Sequence, residues 1–224
     1  MTIKEILTID LSEVIKNVID LEDISEKEIQ LEIESYIVTD GLAREYADFV
    51  DTFTSNILET GVWISGFYGS GKSYFGKLLG YMLSNRTIGG TPARDRIIQR
   101  FTGINDEALV KNALSRLDAI TSRVVFLDIA KQDTSKGLAF TLFRNFLRSL
   151  GLPENEHGIF LFQLMLNEGK TAVQDFIFDT TGSDWSELRT SSFKYAKAIK
   201  KLYIEKGNTD ADYDNLITTI RRDI

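Results

Sequence analysis

Gly61-Val62-Trp63-Ile64-Ser65-Gly66-Phe67-Tyr68-Gly69-Ser70-Gly71-Lys72-Ser73 is the stretch on which the reading of this chain turns. Residues 66–73 fit G-x-x-x-x-G-K-[ST], a loop that cradles phosphates. Before it, Val62, Trp63 and Ile64 form a short apolar run of the kind that makes a buried strand. After Lys72, Ser73 to Leu83 carries apolar residues at helical spacing. The expected local order is therefore strand, glycine loop, helix.

Polyphosphate chemistry explains each residue type. Backbone N–H groups converging from a tight loop, with the positive end of a helix behind them, hold several negative charges without bulky side chains. Gly66, Gly69 and Gly71 permit the unusual backbone angles and the close approach. Lys72 is expected to act at the β- and γ-phosphates, as the catalytic cation, and the Ser73 hydroxyl to ligate Mg²⁺. Gly66, Phe67, Tyr68, Gly69, Ser70, Gly71, Lys72, Ser73 and Tyr74 are thus the expected nucleotide contacts, with ATP and Mg²⁺ as cofactors. Phe67 and Tyr68 are bulky for such a loop. They are suited to touching a base, a partner subunit or a second domain; the plainer expectation is packing against the loop's outer flank.

Composition narrows the classes. With 224 residues and 43% hydrophobic content the chain can bury a sizeable core. No apolar run is long enough to span a bilayer, and the start shows no basic region followed by an apolar core, so a soluble, cytoplasmic protein with no membrane partner is expected. Cysteine is absent and His157 is the single histidine, which excludes disulfides, thiolate chemistry and His-rich metal sites. The net charge of −7 argues against coating nucleic acid. That charge is uneven: residues 1–60 hold 4 Lys/Arg against 15 Asp/Glu, and the remainder is slightly basic. Solvated helix faces are the plain account of the acidic part, and a docking surface for a basic partner the functional one.

Three segments follow: an acidic helical part over 1–60, the first part of a nucleotide-binding core over 61–150, and a helical part over 151–224. Residues 1–23 read as one or two short helices. Ser25-x-x-Glu28 is a capping box that should start a helix through Ile29, Leu31, Ile33, Tyr36 and Ile37. Thr39 should cap the next, through Tyr46, Val50 and Ile57. Thr91 and Pro92 read as cap and first residue of a helix reaching Phe101, and Asn105 as the cap of another. Val124 to Ile129 reads as a second buried strand. Further helices are expected over 135–150, 158–167, 171–179, 184–206 and 210–222. The expected fold class is α/β, a nucleotide-binding core with a parallel sheet flanked by helices, incomplete in this chain. Such a sheet takes about five strands and only two are strong here.

Asp128, at the end of the second run, resembles the Mg²⁺-binding acid of a Walker B strand. Ile129 follows where a water-activating Glu would stand, and the run is the first after the loop helix, so a polar strand end is the preferred account. Ala130-Lys131-Gln132-Asp133 lacks the Asn of a guanine-reading N-K-x-D motif. Lys194, Lys197, Lys200 and Lys201 line one helix and read as a solvated face rather than a phosphate track. His157 shows no sequence partner. The water-activating acid, sensor and arginine finger are expected beyond residue 224, in a longer ATPase.

Tyr36-Ile37-Val38-Thr39-Asp40-Gly41-Leu42, followed by Gly61 through Phe75, resembles the N-terminal region of the BrxC/PglY family, large P-loop ATPases of BREX bacteriophage-defence systems. Phe126-Leu127-Asp128-Ile129, with Lys136-Gly137 and Phe143-Arg144, is similar to that family's second core strand and following helix. The resemblance covers about residues 1–150. It implies an AAA+-like ATP-hydrolysing switch, homo-oligomeric when full-length, working with other defence proteins including a DNA methyltransferase. No residue here indicates a direct DNA contact. Two other classes stand beside it: a small-molecule or nucleotide kinase, with Arg94, Arg96 and Arg100 as lid residues, and a non-hydrolysing module whose nucleotide orders an assembly.

Overall fold

A computed structural model of the chain describes residues 20–55, 61–183 and 192–223. The chain divides between Phe126 and Leu127 into two compact units.

In the first unit, α1 (Glu26–Ser35) and α2 (Asp40–Thr54) start where local capping places them. Ser25 Oγ accepts the Glu28 amide at 3.4 Å, and Thr39 Oγ1 accepts the Leu42 amide at 3.3 Å, each satisfying a donor the first turn cannot. α3 (Lys72–Ser84) follows the glycine loop. A two-residue hairpin, β1 (Thr87–Ile88) and β2 (Thr91–Pro92), turns on Gly89 and Gly90, both at positive φ, and leads into α4 (Ala93–Arg100) and α5 (Glu107–Arg116). The caps of these last two helices each lie one residue beyond the expected ones: Pro92 rather than Thr91, and Asp106 rather than Asn105. Asn105 instead holds the Asp40 carboxylate, at 2.9 Å through its amide and 2.7 Å through its side chain. One core joins the apolar stripes of all five helices, including Ile33, Tyr46, Val50, Leu78, Met82, Ile97, Phe101 and Leu114.

The second unit is helical among its described residues: α6 (Leu138–Ser149), α7 (Glu156–Glu168), α8 (Lys170–Thr181), α9 (Ser192–Glu205) and α10 (Asp210–Asp223). α7 packs against α6, α8 and α10, and α9 against α8 and α10. Their core is Leu147, Phe160, Leu164, Ile177, Ile199, Tyr213 and their neighbours. Gly158 lies where α7 passes Pro153, so closely that an added Cβ would fall 1.8 Å from the Pro153 carbonyl oxygen.

The expected parallel sheet is not what forms. Among the described residues the only sheet is the antiparallel β1–β2 pair, and residues 61–67 and 120–128 belong to neither helix nor strand. The physical reason lies on α3. A ladder needs a neighbouring strand, and here only single residues of these runs lie against the glycine face of α3, while most of the first run is exposed. A Cβ at Gly76 would lie 3.8 Å from Ile64 Cδ1. One at Gly80 would collide with the Phe126 ring and meet Val124 at 3.0 Å. Val62 and Trp63, expected to be buried, are exposed instead. Of the helices expected over 1–23, residues 20–23 belong to none and 1–19 lie outside the described residues; the helix expected over 184–206 is described over Ser192–Glu205, with 184–191 outside. No described helix is long and apolar enough to cross a membrane.

Candidate phosphate-binding site

The loop from Gly66 to Lys72 is built by its glycines. Gly69 and Gly71 sit at φ 80° and 84°, in the left-handed region that a side chain strains. The turn between them and the preceding residues is closed by the Ser70 amide, which donates to Phe67 O at 3.2 Å. Gly66 has no positive φ, and a Cβ there would fall 2.7 Å from Ser70 Oγ, a hydroxyl that can rotate aside.

Gly71 is the N-cap of α3 and supplies no side-chain hydrogen bond to the first turn. The first helical bond runs from the Phe75 amide to Gly71 O, 2.8 Å. The amides of Lys72, Ser73 and Tyr74 therefore precede the helical ladder at the positive end of α3, which is the donor set an anion takes. Lys72 Nζ folds back over the loop and donates to Gly66 O at 2.9 Å and Phe67 O at 2.7 Å. A bound phosphate would compete with those two carbonyls for the ammonium. Ser73 is exposed beside it. These residues fit a polyphosphate and its magnesium ion: Lys72 and the first-turn amides would hold the phosphate oxygens, and Ser73 would offer one hydroxyl to the metal. Among the described residues no three His, Cys, Asp or Glu side chains gather as a metal site.

Phe67 and Tyr68 do not pack on the loop's flank as expected. They are 91% and 96% exposed, with Trp63 at 91% nearby in sequence. Asp128 belongs to the second unit. Its carboxylate accepts the Ala130 amide at 3.1 Å and caps the short 3-10 turn Ile129–Lys131, a local structural task.

No family model matches this chain, and no solved structure matches it.

The loop helix carries a second group that sequence reasoning missed. Lys77 is completely buried, and its ammonium donates to Glu32 Oε1 at 2.7 Å, Asp20 O at 2.6 Å and Asp23 O at 2.9 Å, so all three of its hydrogens are used. Tyr81 donates to the other Glu32 oxygen at 2.5 Å. Burial first, and then the Glu32 carboxylate, hold the Tyr81 hydroxyl protonated far above the usual phenol range. One turn nearer the loop, Tyr74 donates to Glu32 O and lies 2.6 Å from Ser35 Oγ. The only local signal was a lysine between aromatics at i−3 and i+4 on a helix whose next residues are apolar, a pattern that an exposed, snorkelling lysine also shows. The carboxylate it meets, Glu32, is set between Ile29 and Ile33.

Other expectations also change. Arg94 donates to Met82 O at 2.6 Å and to Asp118 at 2.7 Å, closing the C-terminal end of α3. Arg96 bonds to Ile88 O, and Arg100 to Tyr36 O. All three are committed to backbone carbonyls of their own unit. Lys200 pairs with Asp210 and Asp214, and Lys201 with Glu205, so half of the α9 lysine row is neutralised in place. His157, which showed no partner in sequence, places Nδ1 3.0 Å from the Tyr213 hydroxyl, and burial holds its pKa below the usual imidazole range.

Proposed function

We propose that the loop at 66–74 binds the polyphosphate of ATP with Mg²⁺, and that the chain is the nucleotide-binding part of a molecular switch. The observation that carries this reading is a helix N-terminus left without a side-chain cap, preceded by two left-handed glycines, with the Lys72 ammonium held over the same loop. Following the resemblance to BrxC/PglY, the switch operates in the cytoplasm within a BREX-like phage-defence complex that includes a DNA methyltransferase. Turnover in this reading belongs to the full-length or oligomeric form, which supplies the water-activating acid. The commitment of Arg94, Arg96 and Arg100 to structural carbonyls disfavours the kinase alternative.

The test is binding of MgATP by this chain, with Lys72→Ala as control and phosphate release followed in parallel. Binding that is lost in Lys72→Ala, at an unchanged melting temperature and without turnover, is the expected result. Equal binding by Lys72→Ala overturns it. Lys72-dependent turnover by this chain alone would remove the need for an outside acid and return Asp128 to consideration.

The exposed Trp63, Phe67 and Tyr68 favour a second reading, in which nucleotide orders an assembly interface and is not hydrolysed. MgATP-dependent association without phosphate release, even from the full-length protein, distinguishes it.

A further inference from the structure

The face of α3 that meets α1 is polar and hydrogen-bonded, buried at Lys77 and Tyr81 and half-buried at Tyr74, which is unusual for a helix–helix contact beside a core. Tyr74, Lys77 and Tyr81 stand at i, i+3 and i+7, on one side of the helix. Each reaches residues 20–35: Tyr74 to Glu32 O and Ser35, Lys77 to Glu32, Asp20 and Asp23, Tyr81 to Glu32. An apolar contact would tolerate small slips of one helix along the other. A carboxylate held by an ammonium and a phenol at fixed distances does not, because any slip leaves a buried charge short of its partner.

Tyr74 joins this contact to the phosphate loop. Its amide belongs to the free first turn of α3, two residues from Lys72, while its hydroxyl is bonded to the last turn of α1. Its ring stands edge-on to Tyr36, 4.9 Å between centroids, at the end of α1. The same residue therefore lies at the phosphate end of α3 and at the end of α1. A phosphate that draws Lys72 from Gly66 O and Phe67 O, and engages the first-turn amides, changes the position of the turn from which Tyr74 reaches α1.

We infer that residues 20–35 report the nucleotide state of the loop, through Tyr74 and the buried Glu32–Lys77–Tyr81 group. The inference rests on the reading of 66–74 as a nucleotide site. Glu32, Lys77 and Tyr81 are positioning residues in this scheme, since none touches the phosphate cradle. Coupling of this kind is reciprocal: if nucleotide steadies α1, the intact contact tightens nucleotide binding by the same factor.

The experiment is hydrogen exchange on the full chain with and without saturating MgATP, alongside affinity from a fluorescent ATP analogue. Exchange across residues 26–35 is expected to slow on nucleotide addition in the wild-type chain. The double variant Glu32→Leu/Lys77→Met replaces both charges by apolar groups, a change less costly than removing one charge alone. It is expected to bind MgATP about tenfold more weakly, with no response in residues 26–35. Tyr74→Phe keeps the ring on Tyr36 and removes only the hydroxyl, and its response is expected to be reduced. A purely structural contact predicts instead that the folded double variant binds and responds as wild type does, and that result overturns the inference. Should the double variant not fold, a full wild-type response in Tyr74→Phe overturns it equally. Nucleotide binding with unchanged exchange over 26–35 defeats this inference alone, whereas no binding by the wild-type chain defeats the nucleotide reading with it.

Discussion

The two units bury different chemistry. In the first, Glu28, Glu32, Lys77 and Arg94 are all withdrawn from water, while in the second the described buried polar residues are the neutral Thr141, Asn145 and Ser183. The second unit is held as an ordinary helical core, with an aromatic group of Phe160, Tyr203 and Tyr213 at centroid distances between 5.1 and 5.9 Å. Its charges pair at the surface, as Arg148 does with Glu154 at 2.6 and 2.7 Å. Burying a charge pair seldom adds net stability over an apolar pair of the same shape, but losing one member is severe. The first unit has thus traded tolerance for a defined register between α1 and α3, and it has done so beside the candidate site.

That contrast can be broken most forcefully at Lys77. Lys77→Met leaves the Glu32 carboxylate buried with only Tyr81, and should destabilise the first unit by about 3–5 kcal/mol. Urea unfolding combined with exchange protection across α1 and α3 measures this. Recovery of most of the loss in Glu32→Leu/Lys77→Met would confirm that the cost is the orphaned charge, and no recovery would place it in packing or in the Tyr81 hydroxyl and the Asp20 and Asp23 carbonyls left without partners. In the second unit the most demanding point is steric. Gly158→Ala places a methyl against the Pro153 carbonyl, a backbone atom that cannot swing aside, and should cost about 1–3 kcal/mol. A neutral Gly158→Ala would mean that α7 shifts freely at its start.

The pH response sharpens the comparison with a smaller effect. His157 is held neutral, chiefly by burial, so its folded-state pKa lies below the unfolded value of about 6.5. Its contribution to stability is full above that value and is lost as pH falls through the depressed folded pKa. Urea midpoints between pH 8 and pH 5 should therefore decline more steeply in wild type than in His157→Gln. Parallel slopes would show that other groups carry the acid sensitivity. The smallest effect is expected at the loop tip. Phe67→Ser and Tyr68→Ser remove exposed rings and should change stability by less than about 0.5 kcal/mol. A larger loss would mean that these rings are covered in solution, as the assembly reading requires.

Local chemistry explains why the helices were legible. The Ser25 and Thr39 caps and the left-handed Gly69 and Gly71 of the loop act through hydrogen bonds and steric limits within a few residues, and they stand where they were expected. The glycine loop itself was legible for the same reason. Strands were not: Val62-Trp63-Ile64 and Val124 to Ile129 are apolar and β-prone, yet a strand exists only when another backbone lies alongside it, and that partner is non-local. Apolar pattern states a demand for cover without naming the surface that provides it. Here the cover for Val124 and Phe126 is the Gly80 face of α3, while Ile64 stays exposed beside Gly76.

Burial of charge was hidden by the same distance. Glu32 and Lys77 are 45 positions apart, and each alone resembles an ordinary residue on an amphipathic helix. Sequence placed most of the described helices, the Ser25 and Thr39 caps and the glycine turn, because those are set by neighbours along the chain. Packing chose which helix faces meet, left two apparent strands without a ladder and set Val124 and Phe126 against a glycine face, and made a lysine and a glutamate interior groups, because such outcomes depend on residues that only folding brings together.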